Sequence, residues 1–497
     1  MSETLNIIKD KTLTYEQKVL SLARAAENSL SVMNVSDKGK EYIKEGIICD
    51  LNEGNAPYRP RYIVPDYEKF MKNGSEFLGL KPSTDIWDAT NNLLILYKHV
   101  PSITSFPVYI GNIDKLLEPF IKDEDEAYKA IKLFLMHIDR TITDSFCHAN
   151  IGPEDTKAGR LILKAEEELE TSIPNITLKY SKDTPENFAI RCIETSLITA
   201  KPSFANHEMF VNDLGEDYGI ASCYNGLPIG GGSYTLVRLN LADLAKEATD
   251  KGEFLNKVLP YAVDIMASYM DERVKFLMEE SNFFETNFLV KEGLINKDRF
   301  TAMFGMFGLA ECVNHFIDSN NKEDRFGHSK HADDLGYDII KKLEEEVNKH
   351  KNKYCKITDG RFLLHAQVGI ETDYGISPGC RIPIGEEPEL PKHLLQCGRF
   401  HKFFPSGIGD IFPFDETTKR NPKYILDIIK GGFKGGMRYF SLYASDCDVI
   451  RITGYLVKKS EIEKLDRGEQ VLRDTVALGL GAAKNAKILE RKVRSNG

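Results

Sequence analysis

The chain has 497 residues, 42% of them hydrophobic and 28% charged, which is enough apolar material to bury a sizeable core and too much for a disordered polymer. Its formal net charge of -10 repels phosphate backbones and anionic membrane surfaces as a whole, so nucleic acid polymers and membranes are not expected partners. No run of about 18 apolar residues marks a membrane span, and charges interrupt MSETLNIIKDKTL where a secretory signal needs an apolar stretch, so the expectation is a cytoplasmic protein.

Residues 1–45 are polar and helix-prone, and 54–65, with Pro57, Pro60 and Pro65, reads as an extended connector. From 123 to 140 the pattern predicts a helix. Asp123, Glu124, Asp125 and Glu126 place negative charge at the positive end of the helix dipole, and Ala130, Ile131, Phe134, Leu135 and Ile138 recur at helical spacing. His137 lies within it and reads as structural rather than as a ligand. Short apolar runs at 176–180, 234–241, 362–370 and 439–443 predict strands, while 254–278 and 333–347 predict helices. Strands separated by helices imply an α/β architecture. No repeat or flexible linker divides the chain, so the expected organisation is a helical N-terminal portion, 1–120, packed on one large domain, 121–497.

Nine cysteines, at 49, 147, 192, 223, 312, 355, 380, 397 and 447, stand singly and in odd number. That spacing argues against a disulfide framework and against a cysteine-rich zinc site, and no metal is expected. The glycine-rich stretches 226–232 and 431–436 lack the Gly-Lys-Ser/Thr ending of a phosphate-cradling loop, and Gly479-Leu-Gly481 follows a helical pattern; they read as tight turns and close backbone approaches. His328 and His331, near Asp333 and Asp334, sit in a polar stretch and read as solvated.

Two places carry chemistry. In Tyr218-Gly-Ile-Ala-Ser-Cys-Tyr-Asn-Gly226 an apolar lead-in delivers Cys223 into a turn; alone, this is equally a packed thiol. Arg451-Ile-Thr-Gly-Tyr455, alone, is equally a strand-ending turn. Joined with Val471-Leu-Arg-Asp-Thr475 downstream, and with Pro174-Asn-Ile-Thr-Leu178 and Lys201-Pro-Ser-Phe-Ala-Asn206 upstream, these segments resemble the glycyl radical enzymes of the pyruvate formate-lyase and anaerobic ribonucleotide reductase superfamily. The resemblance runs from about residue 140 to the C-terminus. Asn55-Ala-Pro-Tyr-Arg-Pro-Arg61 and Ala149-Asn-Ile-Gly-Pro153 bring it nearest to the YjjI-type family.

The resemblance implies a ten-stranded α/β barrel surrounded by helices, with the radical segment at about 439–497, and a homodimer. Cys223 and Gly454 would sit on two loops that meet inside the barrel, with Arg451 and Tyr455 supporting the radical loop. It also implies a strictly anaerobic, oxygen-sensitive enzyme. An unpaired electron stored on Gly454 makes a thiyl radical on Cys223, and that radical takes a hydrogen atom from a small polar substrate. Glycine suits the role, since a backbone radical must flatten to share its spin with the flanking amide and carbonyl, and only glycine lacks a side chain in the way. The radical is installed by a separate activating enzyme that cleaves S-adenosylmethionine, because no iron-sulfur cluster motif occurs in this chain.

The reaction is less constrained. Pyruvate formate-lyase carries two adjacent cysteines, but Ser222 precedes Cys223 here. Diol dehydratases and choline-type lyases place a glutamate two residues after the cysteine, where this chain has Asn225, an amide that cannot take a proton at neutral pH. Segments 374–380, 398–410 and 421–447 resemble anaerobic ribonucleotide reductase, making that activity an alternative. Against it, Cys447 stands alone where that enzyme has a four-cysteine zinc site, and residues 1–60 hold no counterpart of its ATP-sensing domain. A second alternative is a catalytically silent relative that binds a metabolite or repairs an oxidised partner. Asn225, His148, His207, His365, Glu371 and Cys380 are the candidates for substrate contact, each beside a strand-like or loop segment that would open on the barrel interior.

Overall fold

The acidic stretch that begins at Asp123 becomes the helix Glu124–Thr141. The Asp123 carboxylate accepts the Glu126 backbone N–H at 2.8 Å, a cap worth about 1 kcal/mol, and Ala127, Ala130, Ile131, Phe134, Leu135 and Ile138 are buried. His137 lies on the exposed face. The computed structural model describes residues 3–51, 53–103, 106–317, 321–366 and 373–495; Glu371 lies outside them.

Two five-stranded sheets form the frame. The first contains β1 (Ile48–Cys49), β2 (Tyr62–Val64), β8 (Gly231–Asn240), β9 (Phe300–Phe307) and β10 (Leu363–Ala366). Here β8, β9 and β10 are parallel, while β1 and β2 run antiparallel against β8. The second has the order β11 (Asp410–Phe414), β12 (Tyr439–Ala444), β5 (Ser203–Asn206), β4 (Asn175–Tyr180), β3 (His148–Ile151). Its pairs are parallel except β12 with β5. Every residue of β3, β4, β5, β8, β9, β10, β11 and β12 is buried, so these strands are covered on both faces, as an α/β core requires. The helices that cover them include Lys157–Leu169, Glu186–Thr199, Leu259–Glu279 and Lys330–Lys349.

The apolar runs at 176–180, 234–241 and 439–443 become β4, β8 and β12, and the run at 362–370 supplies β10 at its start while 367–370 lie outside the described residues, with two refinements. Part of the Pro-rich connector is strand: Tyr62, Ile63 and Val64 pair with Ser233, Gly232 and Gly231. The pairing depends on the glycines, because a Cβ on Gly232, at φ +154°, would meet the Tyr62 carbonyl oxygen at 2.0 Å. The N-terminal portion therefore supplies two short strands to the first sheet as well as the helices Glu3–Lys9, Tyr15–Asn28, Asp37–Lys44 and Ile86–Tyr97. Likewise, Gly479 and Gly481 lie inside the helix Thr475–Asn485.

Two hairpins complete the strands: β6 (Tyr218–Ala221) with β7 (Asn225–Pro228), and β13 (Val449–Arg451) with β14 (Leu456–Lys458). Their tips carry Cys223 and Gly454. No described helix is long and apolar enough to cross a membrane.

Candidate active site

The cysteine hairpin closes through the pair Ala221 and Asn225, leaving Ser222, Cys223 and Tyr224 as its tip. Ser222 adopts φ +57°, a left-handed conformation that a side chain takes only when its surroundings hold it. They do so from both sides: its N–H donates to the Val108 carbonyl at 2.8 Å, and its carbonyl lies 2.6 Å from His148 Nδ1. Further down, the Asn150 side chain acts as a surrogate strand, donating to the Ile220 carbonyl at 2.9 Å and accepting the Ile220 N–H at 2.8 Å. On the far edge Gly226 N–H donates to the Ser406 carbonyl, and Gly407, at φ +137°, brings bare backbone against Tyr224, where a Cβ would lie 2.3 Å from the Tyr224 oxygen.

The glycine hairpin meets this tip directly. A Cβ on Gly454 would lie 2.1 Å from Cys223 Cβ and 2.9 Å from its Sγ, so one of the two glycine α-hydrogens faces the thiol and nothing larger fits. The Gly454 carbonyl accepts from Asn175 Nδ2 at 2.7 Å, and Arg451 Nη2 orients that amide by donating to Asn175 Oδ1 at 3.1 Å. Arg451 Nε also donates to the Ala200 carbonyl at 2.8 Å, and its full burial pulls its pKa down to about 10. From the chain's end Arg491 donates to the carbonyls of Arg451 and Ile452. Tyr455 is buried with its ring 5.1 Å from that of Phe146.

Each tip is tied to the second sheet by hydrogen bonds, Gly454 through Asn175 on β4 and the cysteine tip through His148 on β3. His148 Nδ1 donates to the Ser222 carbonyl, His148 Nε2 accepts from the Thr177 hydroxyl at 2.7 Å, Thr177 accepts from the Tyr439 hydroxyl at 2.6 Å, and the Tyr439 oxygen lies 3.3 Å from the Cys223 carbonyl oxygen. Burial holds His148 neutral, with its pKa lowered to about 3. Burial also pushes the Cys223 thiol up to about 12, against the opposing pull of the Ser222 hydroxyl and of Arg381, Arg451 and Arg61. The sulfur therefore keeps its hydrogen near neutral pH, the form required for passing a hydrogen atom rather than acting as a nucleophilic thiolate.

Cys223 also opens on a cavity of about 300 Å³. Arg61, Tyr62, Asn225 and His365 surround it close to the thiol; Gln17, Arg24 and Asp474 stand among its other wall residues. Of the candidates named from sequence, the structure thus brings Asn225 and His365 to the Cys223 cavity. His148 lies between the hairpin tips and β4 instead. His207 bonds the Tyr218 hydroxyl through Nδ1 at 2.9 Å and lines a separate groove with Glu154 and Lys182. Cys380 is buried outside the cavity wall, with a Cβ on its neighbour Gly379 placed 2.9 Å from Ala366. Asn175, Thr177, Tyr439, Arg61, Tyr62 and Arg491 are the participants that sequence reading did not single out. The first two belong to the Pro-Asn-Ile-Thr stretch and Arg61 ends the Asn55–Arg61 stretch, so the signal was present as motif without a role.

One buried trio has metal-ligand composition: His393, Cys397 and Asp410. Arg494 Nη2 lies 2.7 Å from His393 Nδ1, and a guanidinium can only donate, so the ring hydrogen sits on Nε2, which faces Asp410 Oδ2 at 2.9 Å. Cys397 Sγ donates to the same oxygen at 3.2 Å. The trio is a closed hydrogen-bonded set in which the ring offers no lone pair to an ion.

The fold is that of glycyl radical enzymes. The chain superposes on the anaerobic ribonucleotide reductase of Thermotoga maritima with a TM-score of 0.73, covering 93% of this chain and 94% of that one at 12% identity. It superposes on the B12-independent glycerol dehydratase of Clostridium butyricum with a TM-score of 0.69, covering 97% and 86% at 12% identity. Within that class the chain belongs to the YjjI-like glycyl radical enzymes, whose family model matches residues 13–494. A Haemophilus influenzae protein is 48% identical over 501 residues, spanning 99% of this chain and 98% of its own.

Proposed function

We propose that Gly454 is the residue that stores the radical and Cys223 the residue that acts on substrate. The observation that carries this reading is the 2.9 Å between Sγ and the position a Gly454 side chain would occupy. An activating enzyme that cleaves S-adenosylmethionine reductively supplies a 5′-deoxyadenosyl radical, which takes one α-hydrogen from Gly454 and leaves as 5′-deoxyadenosine. Cys223 then gives its sulfur-bound hydrogen to the Gly454 α-carbon and is left with the unpaired electron. Cys223 next takes a hydrogen atom from a substrate carbon, re-forming S–H, and the substrate radical rearranges, eliminates or cleaves. The product radical regains hydrogen from Cys223, which recovers its own from Gly454. No net oxidant is consumed in the cycle. Asn175 supports the resting radical by hydrogen bonding the carbonyl over which spin is shared, and the high pKa of Cys223 keeps the transferable hydrogen in place.

The test combines two measurements on anaerobically activated enzyme. A doublet paramagnetic resonance signal is expected in wild type and absent in Gly454→Ala. Brief exposure to air should cut activated enzyme, and only activated enzyme, at Gly454, because dioxygen adds to the α-carbon radical and the peroxyl species breaks the backbone. Mass spectrometry should find a long fragment ending near Thr453. Scission elsewhere, or equal scission without activation, would remove Gly454 from the mechanism. The partner set is the activating enzyme and a small-molecule substrate, with the chain acting as a homodimer.

A further inference from the structure

The wall of the Cys223 cavity is not equally firm all round, and the difference marks a way in, an inference that rests on Cys223 being the residue that acts on substrate. Cys223 is 3% exposed, so a molecule that reaches its sulfur must pass this wall. Tyr62 and His365 stand on β2 and β10, every residue of which is buried, and Cys223 and Asn225 belong to the cysteine hairpin. Val471, Arg473 and Thr475 come from the terminal segment, where Arg473 is held by Asp139 and Glu461 and the helix Thr475–Asn485 buries Thr475, Val476, Gly479 and Ala482. A third side consists of Thr12, Leu13, Gln17, Leu20, Ser21 and Arg24.

That third side is the helix Tyr15–Asn28 and the turn before it, and it is packed unlike the others. Gln17 is the one buried residue of this helix, and the helix Glu3–Lys9, which packs on it, has none. A helix laid permanently on a core turns its apolar stripe inward. Here Tyr15 and Val19, one turn apart, are 77% and 47% exposed, while the residues that line the cavity from this side mix Leu13 and Leu20 with Gln17, Ser21 and Arg24. An underside this polar loses little when water reaches it, so the helix can leave the wall at small cost.

The bonds that hold it fall into two groups, and among the described residues none of them joins backbone to backbone. Its start is tied to the terminal segment: Gln17 Nε2 donates to the Val471 carbonyl at 3.2 Å and reaches Asp474 Oδ1 at 3.5 Å, and Gln470 Nε2 donates to the Leu13 carbonyl at 3.0 Å. Its end is tied to the frame: Arg59, itself held by the Ser102 and Ile103 carbonyls, meets Glu27 at 3.2 Å, and Asn55 donates to the Asn28 carbonyl at 2.9 Å. Residues 29–36 form neither helix nor strand, and the helix after them, Asp37–Lys44, is fixed by buried Tyr42, whose hydroxyl donates to Glu247 at 2.5 Å. The end near 28 is therefore the pivot, and the start at 13–17 is the edge that lifts.

We propose that residues 3–28 form a lid over the Cys223 cavity, which pivots on the 29–36 connector, parts Leu13 and Gln17 from Gln470 and Val471, admits substrate to the thiol and closes over it. The closed lid keeps a substrate radical away from other hydrogen donors, and opening it needs no movement of Gly454. Substrate entry and exposure of the glycine then use opposite edges of one seam, the N-terminal edge for the first and the terminal segment for the second.

Unactivated enzyme tests this without any radical step, so the lid fails separately from the Gly454 and Cys223 assignments. Gln17→Glu keeps the side-chain oxygen that accepts the Thr14 N–H at 2.8 Å, and with it the helix cap, but cannot donate to Val471. Gln470→Ala removes the other tie from an exposed position. Amide hydrogen exchange and the rate of Cys223 alkylation by iodoacetamide are both read by mass spectrometry. Loss of either tie should speed exchange in 15–28 about fivefold and alkylation of Cys223 by the same factor, while 449–458 stays at the wild-type rate. In wild type, low urea should raise exchange in 15–28 and alkylation of Cys223 in proportion before 449–458 responds, which decides the matter if the variants fold poorly. Faster exchange in 15–28 without faster alkylation would mean that Cys223 is reached by another route. Equal acceleration in 449–458 would mean that the terminal segment opens instead, and unchanged exchange in 15–28 in both variants would mean that these bonds do not hold the helix; each of the three overturns the lid.

Discussion

The two hairpins that meet at the site are moored in different ways. The cysteine hairpin is joined to the rest of the molecule by backbone, Ser222 to Val108 and Gly226 to Ser406, with the Asn150 side chain imitating a further strand. The glycine hairpin, among the described residues, makes backbone hydrogen bonds only within itself and its immediate flank, and what holds it is side chains, namely Asn175, Arg451 and Arg491. Peptide ladders in a packed sheet open with the sheet, whereas side-chain ties open one at a time. Cys223 is thus a fixed part of the frame, and Gly454 is an attachment that can be released with the frame intact.

The sharpest way to break that division of labour is Cys223→Ser. A hydroxyl holds its hydrogen far more tightly than a thiol, so the paramagnetic signal should persist after activation while turnover falls on the order of 10⁴-fold or more, as for other residues that carry the chemistry. Wild-type turnover in this variant would end the thiyl assignment. Gly454→Ala should lose the signal entirely and also lose about 1–3 kcal/mol of stability, since the new methyl meets Cys223 Cβ at 2.1 Å; thermal denaturation reads the second effect.

Smaller effects compare the moorings. Asn175→Ala leaves the buried Gly454 carbonyl without its donor, at a cost of about 1–3 kcal/mol, and should reduce the radical yield without altering the alkylation rate of Cys223. Arg491→Ala should speed amide hydrogen exchange in 449–458 by about tenfold or more and leave 218–228 unchanged. Equal acceleration in both hairpins would show that they open as one unit. A separate effect is in acid. His148, His365 and His401 all have folded pKa values near 3 against a reference of 6.5, because burial opposes their charge. The unfolded chain binds those protons first, so stability is full above about pH 6.5. It falls as pH drops toward 3, by up to about 1.4 kcal/mol per pH unit for each ring. Urea denaturation of His148→Asn across this range should show a shallower acid limb than wild type.

Sequence reading reached the helices and the central strands because apolar periodicity is written locally: 176–180, 439–443 and the helix after Asp123 each carry their own pattern. It reached Cys223 and Gly454 as members of motifs, but their juxtaposition is a fact of tertiary structure between residues far apart in the chain. The same reason hid the ties. Arg491 contacts Arg451 across the terminal helix, and no local spacing announces that pair. His148 misled in an instructive way, since a buried histidine beside a strand reads as a pocket group until both ring nitrogens are seen to be spent on Ser222 and Thr177. Glycine runs such as 230–232 announced close approach, and only the structure says what approaches: Tyr62 and Arg299.

The cavity wall is built from both ends of the chain. Leu13, Gln17 and Leu20 come from the start, and Leu465, Val471, Asp474 and Leu478 from the same terminal segment as Gly454, with Gln17 donating to the Val471 carbonyl at 3.2 Å and Gln470 to that of Leu13 at 3.0 Å. Gly454 is buried, so another protein can touch its α-carbon only after this segment moves outward, and that movement dismantles one side of the chamber. If Gly454 is the radical site, occupancy of the chamber and activation would compete, since a seated molecule that bridges this wall opposes its outward movement. On the roles proposed for Gly454 and Cys223, the enzyme would be armed empty and loaded afterwards, because one wall is shared between two tasks.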